Sequence, residues 1–474
     1  MATGSALVLG TPANPTEGDR LTFHWTTDAP DPKNWVGIYD GTRQPGTGSS
    51  LVWKYTPAAS GDVQLDTSAL TGGPYTAYLL AKDGYGVLAQ TAPFGFRPKP
   101  APIRGHLAVD ALTATPVAPG AAVGVKLGGL WMHGTGAVEY RRTGGDAWLK
   151  VAADGTVTGT APHSAPAHPG TVTVQAKDAS GAVDTVTVQA PVRAAGHPVR
   201  LKVASWNLWD AGTHSTDALE KQLRVILTQG LDVLSLQETA GTSAKALADA
   251  LGWYSYQSAG SVGILSRYPL TAVTGTTAAL PAAAVTVQPP GRRGVRLWAA
   301  HLDEDDYGPY AVQDGRSAAQ VEAAEAASAR GLQAKALAAA VHADVKAGHP
   351  VVLAADLSSP SHLDWTATTA AAHSGVGPLK WPVTVALQEA GLIDAYRRAH
   401  RDPAASPGNT WSPTRRTRGS RPEPQDRIDQ VQYAGPLTLV EAHTLAVGWP
   451  QAEPNATANE WPSDTAAAVA TFTV

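Results

Sequence analysis

The chain has 474 residues, too many for one ordinary core, so two or three domains are expected. Its 36 basic and 40 acidic residues leave a formal charge of -4, which argues against a strong nonspecific nucleic-acid binder, whose affinity comes mostly from Lys and Arg neutralising phosphates. With no cysteine there is no disulfide, no thiolate nucleophile and no Cys-ligated zinc, while abundant Gly (47), Pro (36) and Trp (14) point to a loop-rich, β-rich globular chain.

The opening Met1-Ala2-Thr3-Gly4-Ser5 has neither a basic n-region nor an apolar h-region, so no signal peptide is expected in the chain as it stands. A cysteine-free chain with β-rich leading modules is compatible with bacterial export, and an extracellular, secreted location is the expectation. No run of 18 apolar residues occurs, so no transmembrane segment is expected.

Residues 1–97 predict a small β-sandwich module of immunoglobulin-like type, with strands at 21–25, 35–39 and 75–81 separated by Gly, Pro and Asp clusters. Its aromatics read as core and edge packing, with binding of a carbohydrate or a lipid surface as the alternative. Residues 98–102, Pro-Lys-Pro-Ala-Pro, form a stiff linker. A second immunoglobulin-like β module occupies 106–193. It is marked by Val123, Val125 and Leu127 alternating with Gly124 and Lys126, and by the paired runs 171–176 and 183–188. Neither module gathers catalytic residue types, so both read as spacers or substrate-presenting modules.

The character changes after residues 194–198. Residues 200–206 form a strand that runs into Asn207. Thr216 or Asp217 then caps a helix whose Leu219, Leu223, Ile226 and Leu227 share one face, and Gly230 ends it. Residues 231–236 predict a buried strand ending in Gln237 and Glu238. A long Ala-rich helix is predicted over 316–346, with Leu337, Val341 and Val345 at i, i+4, i+8. The run Val351-Val352-Leu353-Ala354-Ala355 then reads as a strand buried on both faces, stopping at Asp356, which is either a turn-former or a catalyst. Strands and helices thus alternate through 199–474, which points to an α/β layered domain. Residues 373–413 read as a surface excursion, and the basic loop 415–421 as a solvated loop or an anion clamp.

Polar residues recur where these strands end: Asn207, Glu238, His301, Asp356, Asp429 and Asp464. Carboxylates, an amide and an imidazole on one rim would suit a hard divalent cation and a phosphate ester. Mg²⁺ takes one or two carboxylates plus water and substrate oxygens, and His and Asn donate to phosphoryl oxygens.

The stretches Ser205-Trp206-Asn207, Leu236-Gln237-Glu238, Ile264-Leu265-Ser266-Arg267-Tyr268-Pro269, Ala300-His301-Leu302, Ala355-Asp356-Leu357-Ser358, Arg427-Ile428-Asp429 and Pro462-Ser463-Asp464 occur in this order. From 199 to 474 the chain therefore resembles the endonuclease/exonuclease/phosphatase superfamily, with its DNase-I-like fold, a four-layered α/β sandwich. The resemblance implies that Glu238 is the principal ligand of Mg²⁺ (or Mn²⁺ or Ca²⁺), with Asn207 beside it and Asp429 and Asp464 completing or supporting the site. It also implies that Asp356 orients or deprotonates the attacking water and that His301 steadies a phosphoryl oxygen.

Two positions depart from the family's pattern: Ser358 stands where the family has Asn, and Thr465 where it has His. Losing a general acid/base typically costs about 10²- to 10⁴-fold in rate. The run Asp303, Glu304, Asp305 and Asp306 reads as a solvated loop, or as the place of a replacement base or a shifted metal. His214, His362 and His373 read as surface or packing histidines. Trp206, Trp209, Trp365 and Trp411 read as core, with Trp209 and Trp411 also pocket candidates.

Three functions are compatible with these residues. The first is a metal-dependent phosphoesterase acting on a lipid or small-metabolite phosphate ester, with nucleic acid a less favoured partner. The second is a repurposed enzyme of the same fold catalysing a non-hydrolytic acid/base step on a small organic substrate. The third is a non-catalytic binding protein.

Overall fold

The computed structural model describes residues 4–41, 43–98, 103–194 and 197–474. Most of the expected linker at 98–102, and part of the 194–198 junction, lie outside the described residues. The chain divides into two compact units, Met1–Ile103 and Arg104–Val474.

In the first unit, Leu21–Thr26 alternates buried Leu21, Phe23 and Trp25 with outward-facing neighbours, the period of a strand with one buried face. It lies between Ala6–Leu9 and Ser60–Leu65 in a three-stranded sheet. A second sheet has the order Val52–Tyr55, Trp35–Asp40, Tyr75–Ala81, Gly86–Gln90. All its pairings are antiparallel. The two sheets enclose one apolar core containing Phe23, Val36, Ile38, Val63 and Leu79.

The second unit begins with another strand-rich region. Its larger sheet has the order Val138–Gly145, Gly170–Asp178, Val183–Ala190, Ala111–Thr113. This region shares a continuous core with the α/β layers at 200–474: Leu107, Val174 and Val188 belong to the same buried cluster as Trp206, Leu223, Ile226 and Leu251. The buried Glu220 also ties the two together, meeting His106 Nε2 at 3.0 Å and His133 Nε2 at 3.2 Å.

Residues 200–474 carry two six-stranded sheets. The first has the order Tyr254–Gln257, Gly263–Ser266, Val233–Gln237, Arg200–Asn207, Ala467–Thr473, Thr438–Leu445. The second has the order Leu270–Thr274, Ala282–Val287, Val295–His301, Val351–Asp356, Asp429–Ala434, Ile393–Asp394. The Val351–Asp356 strand shows why they stack. Val352 and Ala354 join the core between the sheets, while Val351, Leu353 and Ala355 join the core beneath the helices Ala329–Lys346 and Pro382–Glu389. Successive side chains on opposite faces, both faces apolar, force a layer on each side. The helices Ala218–Thr228 and Ser243–Leu251 supply the outer layer of the first sheet. The result is the α/β/β/α layering of a DNase-I-like domain.

Chain direction gathers the site. Arg200–Asn207 and Val233–Gln237 run parallel, as do Val295–His301 and Val351–Asp356, so their C-terminal ends share a rim. Asp429–Ala434 and Ala467–Thr473 run antiparallel to their neighbours, which brings their N-terminal ends to that same rim.

Three expectations need correction. The long helix at 316–346 is two helices, Ala318–Ala327 and Ala329–Lys346. Ser328 is extended between them and its hydroxyl accepts from Gly331 N, so it caps the second helix at the cost of ending the first. The break lets the buried Arg330 pair with Glu325 at 2.9 Å. Leu219 is 42% exposed, outside the buried face of its helix, and neither Thr216 nor Asp217 caps that helix through its side chain. Residues 373–413 are no surface excursion: Trp381, Val383, Leu387, Leu392, Ala395 and Thr410 are all buried there.

Candidate active site

Asn207 ends its strand with the side chain buried, and its amide joins two carboxylates. Nδ2 donates to Glu238 Oε1 at 2.7 Å and to Asp356 Oδ2 at 3.0 Å, while Oδ1 accepts from Trp209 N at 2.9 Å. Both amide hydrogens and the oxygen are thereby engaged, which fixes the orientation of the group. Glu238 is held in turn by Asp210 N, which donates to Oε2 at 2.7 Å. Its backbone is left-handed (φ 53°), turning the chain sharply as it leaves the strand.

His301 and Asp356 are register partners on parallel strands, and His301 Nε2 lies 4.0 Å from Asp356 Oδ2. Ser261 Oγ accepts from Glu238 N at 2.9 Å and sits 2.5 Å from His301 Nδ1. Nδ1 is thus engaged by the Ser261 hydroxyl, and the ring is held with Nε2 turned toward Asp356. Asp356 Oδ1 accepts from Ser358 N at 2.9 Å. The Ser358 hydroxyl donates to Leu302 O at 3.1 Å, and the residue lines the cavity described below.

Asp429 is fully buried, and neither carboxylate oxygen has a hydrogen-bond partner among the described residues. Burial first, then the negative charge of Asp356, pushes its pKa well above the usual carboxylate range. Asp464 is pushed up to about 8, again by burial first and then by Glu238, against the pull of Arg415. Arg415 Nη2 stands 3.7 Å from Asp464 Oδ2. Thr465 is buried and its hydroxyl lies 3.2 Å from that of Ser463, which donates to Asn207 O at 2.7 Å. The threonine therefore fills a structural place in the loop and supplies no imidazole.

A cavity of about 390 Å³ opens on this rim, lined by Asn207, Glu238, Asp356 and Asp464 together with Trp209, Tyr307, Trp411 and Arg415. His301 borders it through Asp356, and Asp429 lies behind Asp356 as its antiparallel register partner. All six residues expected from the sequence thus gather at one end of the two sheets.

The acidic run contributes more than a solvated loop. Glu304 lines the cavity, and Glu238, His301 and Glu304 each bring a ligand atom within 4.8 Å of the others. Burial raises the pKa of Glu304. The run is held from beneath by Arg330, whose guanidinium donates to the carbonyls of Asp303 at 2.7 Å, Asp305 at 2.9 Å and Asp306 at 3.2 Å. Tyr307 and Tyr310 were not singled out from the sequence. Their signal in the chain is that Tyr307 follows the acidic run directly and Tyr310 stands three residues further on. Of the basic loop, Arg415 faces the cavity and stacks over Trp411 at 5.1 Å, whereas Arg418 and Arg421 pair with Asp314.

His214 stacks on Trp209 at 4.5 Å, His373 on Trp365 at 4.0 Å, and His362 Nδ1 meets Thr384 Oγ1 at 2.8 Å. None of the three lines the cavity. Trp206 and Trp365 are core, and Trp209 and Trp411 are cavity walls.

The acid ring has the chemistry of a hard-cation site. Glu238, Asp356 and Asp464 line the cavity with Asp429 behind Asp356, and burial favours the protonated forms of Asp429 and Asp464, whose protons a bound cation would displace. Layering and rim together define a DNase-I-like domain.

The chain belongs to the endonuclease/exonuclease/phosphatase family, whose model matches residues 204–464. Members of this family are generally metal-dependent hydrolases of phosphate esters or nucleic acids. An uncharacterized protein of Caenorhabditis elegans is 30% identical over 294 residues, covering 58% of this chain and 91% of that protein. Among solved structures, an endonuclease/exonuclease/phosphatase from Beutenbergia cavernae is 18% identical over 58% of this chain and 72% of that one, with a TM-score of 0.37. A family protein from Bacteroides thetaiotaomicron is 14% identical over 58% of this chain and 98% of that one, also with a TM-score of 0.37. Among the described residues no helix is long and apolar enough to cross a membrane.

Proposed function

We propose that residues 199–474 form a divalent-metal-dependent phosphoesterase acting on a lipid or small-metabolite phosphate ester. The observation that carries this reading is the fully buried, unpartnered carboxylate of Asp429, the register partner of Asp356, which the Asn207 amide joins to Glu238. Glu238 and Asp429 would hold Mg²⁺ (or Mn²⁺ or Ca²⁺), supported by Asn207 and Asp464. Once bound, the ion supplies charge neutralisation and Lewis acidity at a phosphoryl oxygen.

The protein's own groups do the rest. Asp356, fixed as an acceptor by Asn207 and Ser358 N, orients or deprotonates an attacking water. His301, its ring held by Ser261 with Nε2 toward Asp356, would donate to a non-bridging phosphoryl oxygen. Arg415 adds a second positive charge at the mouth, beside Asp464. Trp209 and Trp411 offer apolar surface to the organic part of the ester, and the size of the cavity suits a small ester or headgroup.

A second reading rests on Thr465. With no imidazole beside Asp464, the scaffold serves a non-hydrolytic acid/base step on a small organic substrate through His301 and Asp356. Divalent-ion dependence of phosphodiester turnover separates the two readings. We also read residues 1–97 and 106–193 as immunoglobulin-like modules and the protein as secreted. The first is supported by the paired strand-rich sheets.

A further inference from the structure

We infer that the first unit carries a binding site for neutral carbohydrate, separate from the phosphoesterase site. The four-stranded sheet of this unit has a filled core on its inner face, yet its outer face is also aromatic. Trp35, Tyr39 and Leu80 form a second, small cluster there. Trp53 and Tyr55 stand two residues apart on the edge strand Val52–Tyr55, so both project from the same face. They remain 52% and 46% exposed, and Tyr85, on the neighbouring hairpin, 53%. Core packing does not require these three rings, because the core beneath them is already closed.

The rings are walls of a concavity. Trp53 meets Trp35 at 75° with centroids 5.8 Å apart, Tyr55 meets Trp53 at 84° and 5.0 Å, and Tyr85 meets Trp35 at 72° and 6.2 Å. They enclose a cavity of about 410 Å³ whose remaining lining is Asp83, Ser49 and Ser50. Edge-to-face contacts hold each ring at a fixed angle, so little side-chain freedom is left to lose on binding.

The polar groups select the ligand. Asp83 Oδ2 accepts from Lys33 Nζ at 2.6 Å and Oδ1 from Tyr55 hydroxyl at 2.7 Å. Its charge is therefore already balanced, and a quaternary ammonium in the cavity would meet the Lys33 ammonium nearby. An anionic surface would meet Asp83. A neutral pyranose fits both constraints: its C–H face stacks on an indole or phenol ring, and its hydroxyls reach the free lone pairs of Asp83 and the hydroxyls of Ser49 and Ser50.

The test is native affinity electrophoresis of the full chain through gels containing a soluble β-glucan, a xylan or a galactomannan. Parallel co-sedimentation with phosphatidylcholine vesicles and titration with choline chloride test the other sources of ring stacking. Wild type and Trp449→Ala, which removes an exposed tryptophan elsewhere in the chain, are expected to be retarded by at least one polysaccharide. Trp53→Ala and Tyr85→Ala are each expected to weaken that retardation by roughly tenfold or more, the loss typical of a central aromatic anchor. Trp53→Phe should keep a part of it. Since these rings are exposed, unchanged melting temperatures are expected and establish that the variants are folded. Unretarded migration of wild type in all three gels, retardation of Trp53→Ala and Tyr85→Ala as strong as that of wild type, or binding to vesicles or choline alone would overturn the assignment.

Discussion

Asp356 and Asp429 are direct register partners on neighbouring antiparallel strands, so two carboxylates close the same rung of the second sheet at its site-facing end. Asp356 is held by donors on both oxygens, whereas Asp429 has none among the described residues. Burial and the neighbouring Asp356 favour the protonated form of Asp429, and a bound cation would take the place of that proton. Asp429→Asn keeps the shape and removes the charge. Without divalent ions, where Asp429 is protonated, this variant is expected to melt within about 2 °C of wild type near neutral pH. It is also expected to lose the stabilisation that saturating Mg²⁺ gives wild type. Thermal scans in Mg²⁺ and in EDTA check both, and an undiminished Mg²⁺ response of the variant would count against Asp429 as a ligand.

Arg330 is fully buried and holds three backbone carbonyls of the loop 303–306 as well as the carboxylate of Glu325. Arg330→Met leaves Glu325 as an uncompensated buried charge, with an expected cost of about 3–5 kcal/mol. Adding Glu325→Leu should recover much of that loss in a denaturant titration. The double variant should still turn over substrate more slowly than wild type, because the carbonyls that set the position of Glu304 remain unheld.

Much of this architecture can be read from the chain. The apolar run 351–355 is short, two-sided and ends abruptly in Asp356, so strand, burial and strand end are all written locally. That Asn207, Glu238, His301, Asp356, Asp429 and Asp464 share one rim depends on strand order and direction. The sequence points to it only through the family's ordered motifs. The break at Ser328 is hidden because an Ala-rich segment has no apolar period to interrupt, and the Glu325–Arg330 pair that uses the break is a tertiary matter. Leu219 matches the helical spacing of Leu223 and Ile226 but falls at the edge of the face that the neighbouring layer covers. Tyr307 and Arg415 reach the cavity from loops, where hydrophobic patterning says nothing about direction.

His373 is stacked on Trp365 and burial lowers its pKa to about 4. Asp426, 3.9 Å away, is itself pushed up to about 6 by burial, and it accepts from Trp365 Nε1 and Tyr307 hydroxyl. For the histidine the sign is clear: the unfolded chain takes up a proton near its ordinary value of 6.5 while the native state does not, so stability is lost as pH falls from about 6.5 toward 4. His373→Phe keeps the stacking and removes the titration. Its stability relative to wild type is expected to rise by about 2 kcal/mol between pH 7 and pH 4.5. A constant difference across that range in urea titrations would show that His373 titrates normally.

Hydrolysis of bis-p-nitrophenyl phosphate by wild type and Glu238→Gln, each with Mg²⁺ and with EDTA, tests most directly whether Glu238 holds a catalytic cation. Turnover by wild type in Mg²⁺ is expected, abolished by EDTA, restored by excess Mg²⁺ or Mn²⁺, and lowered by at least about 10³-fold in Glu238→Gln, as for loss of a group that stabilises transition-state charge. Wild-type turnover that persists undiminished in EDTA, or Glu238→Gln turning over as fast as wild type, would contradict a metal-dependent phosphoesterase built on this rim.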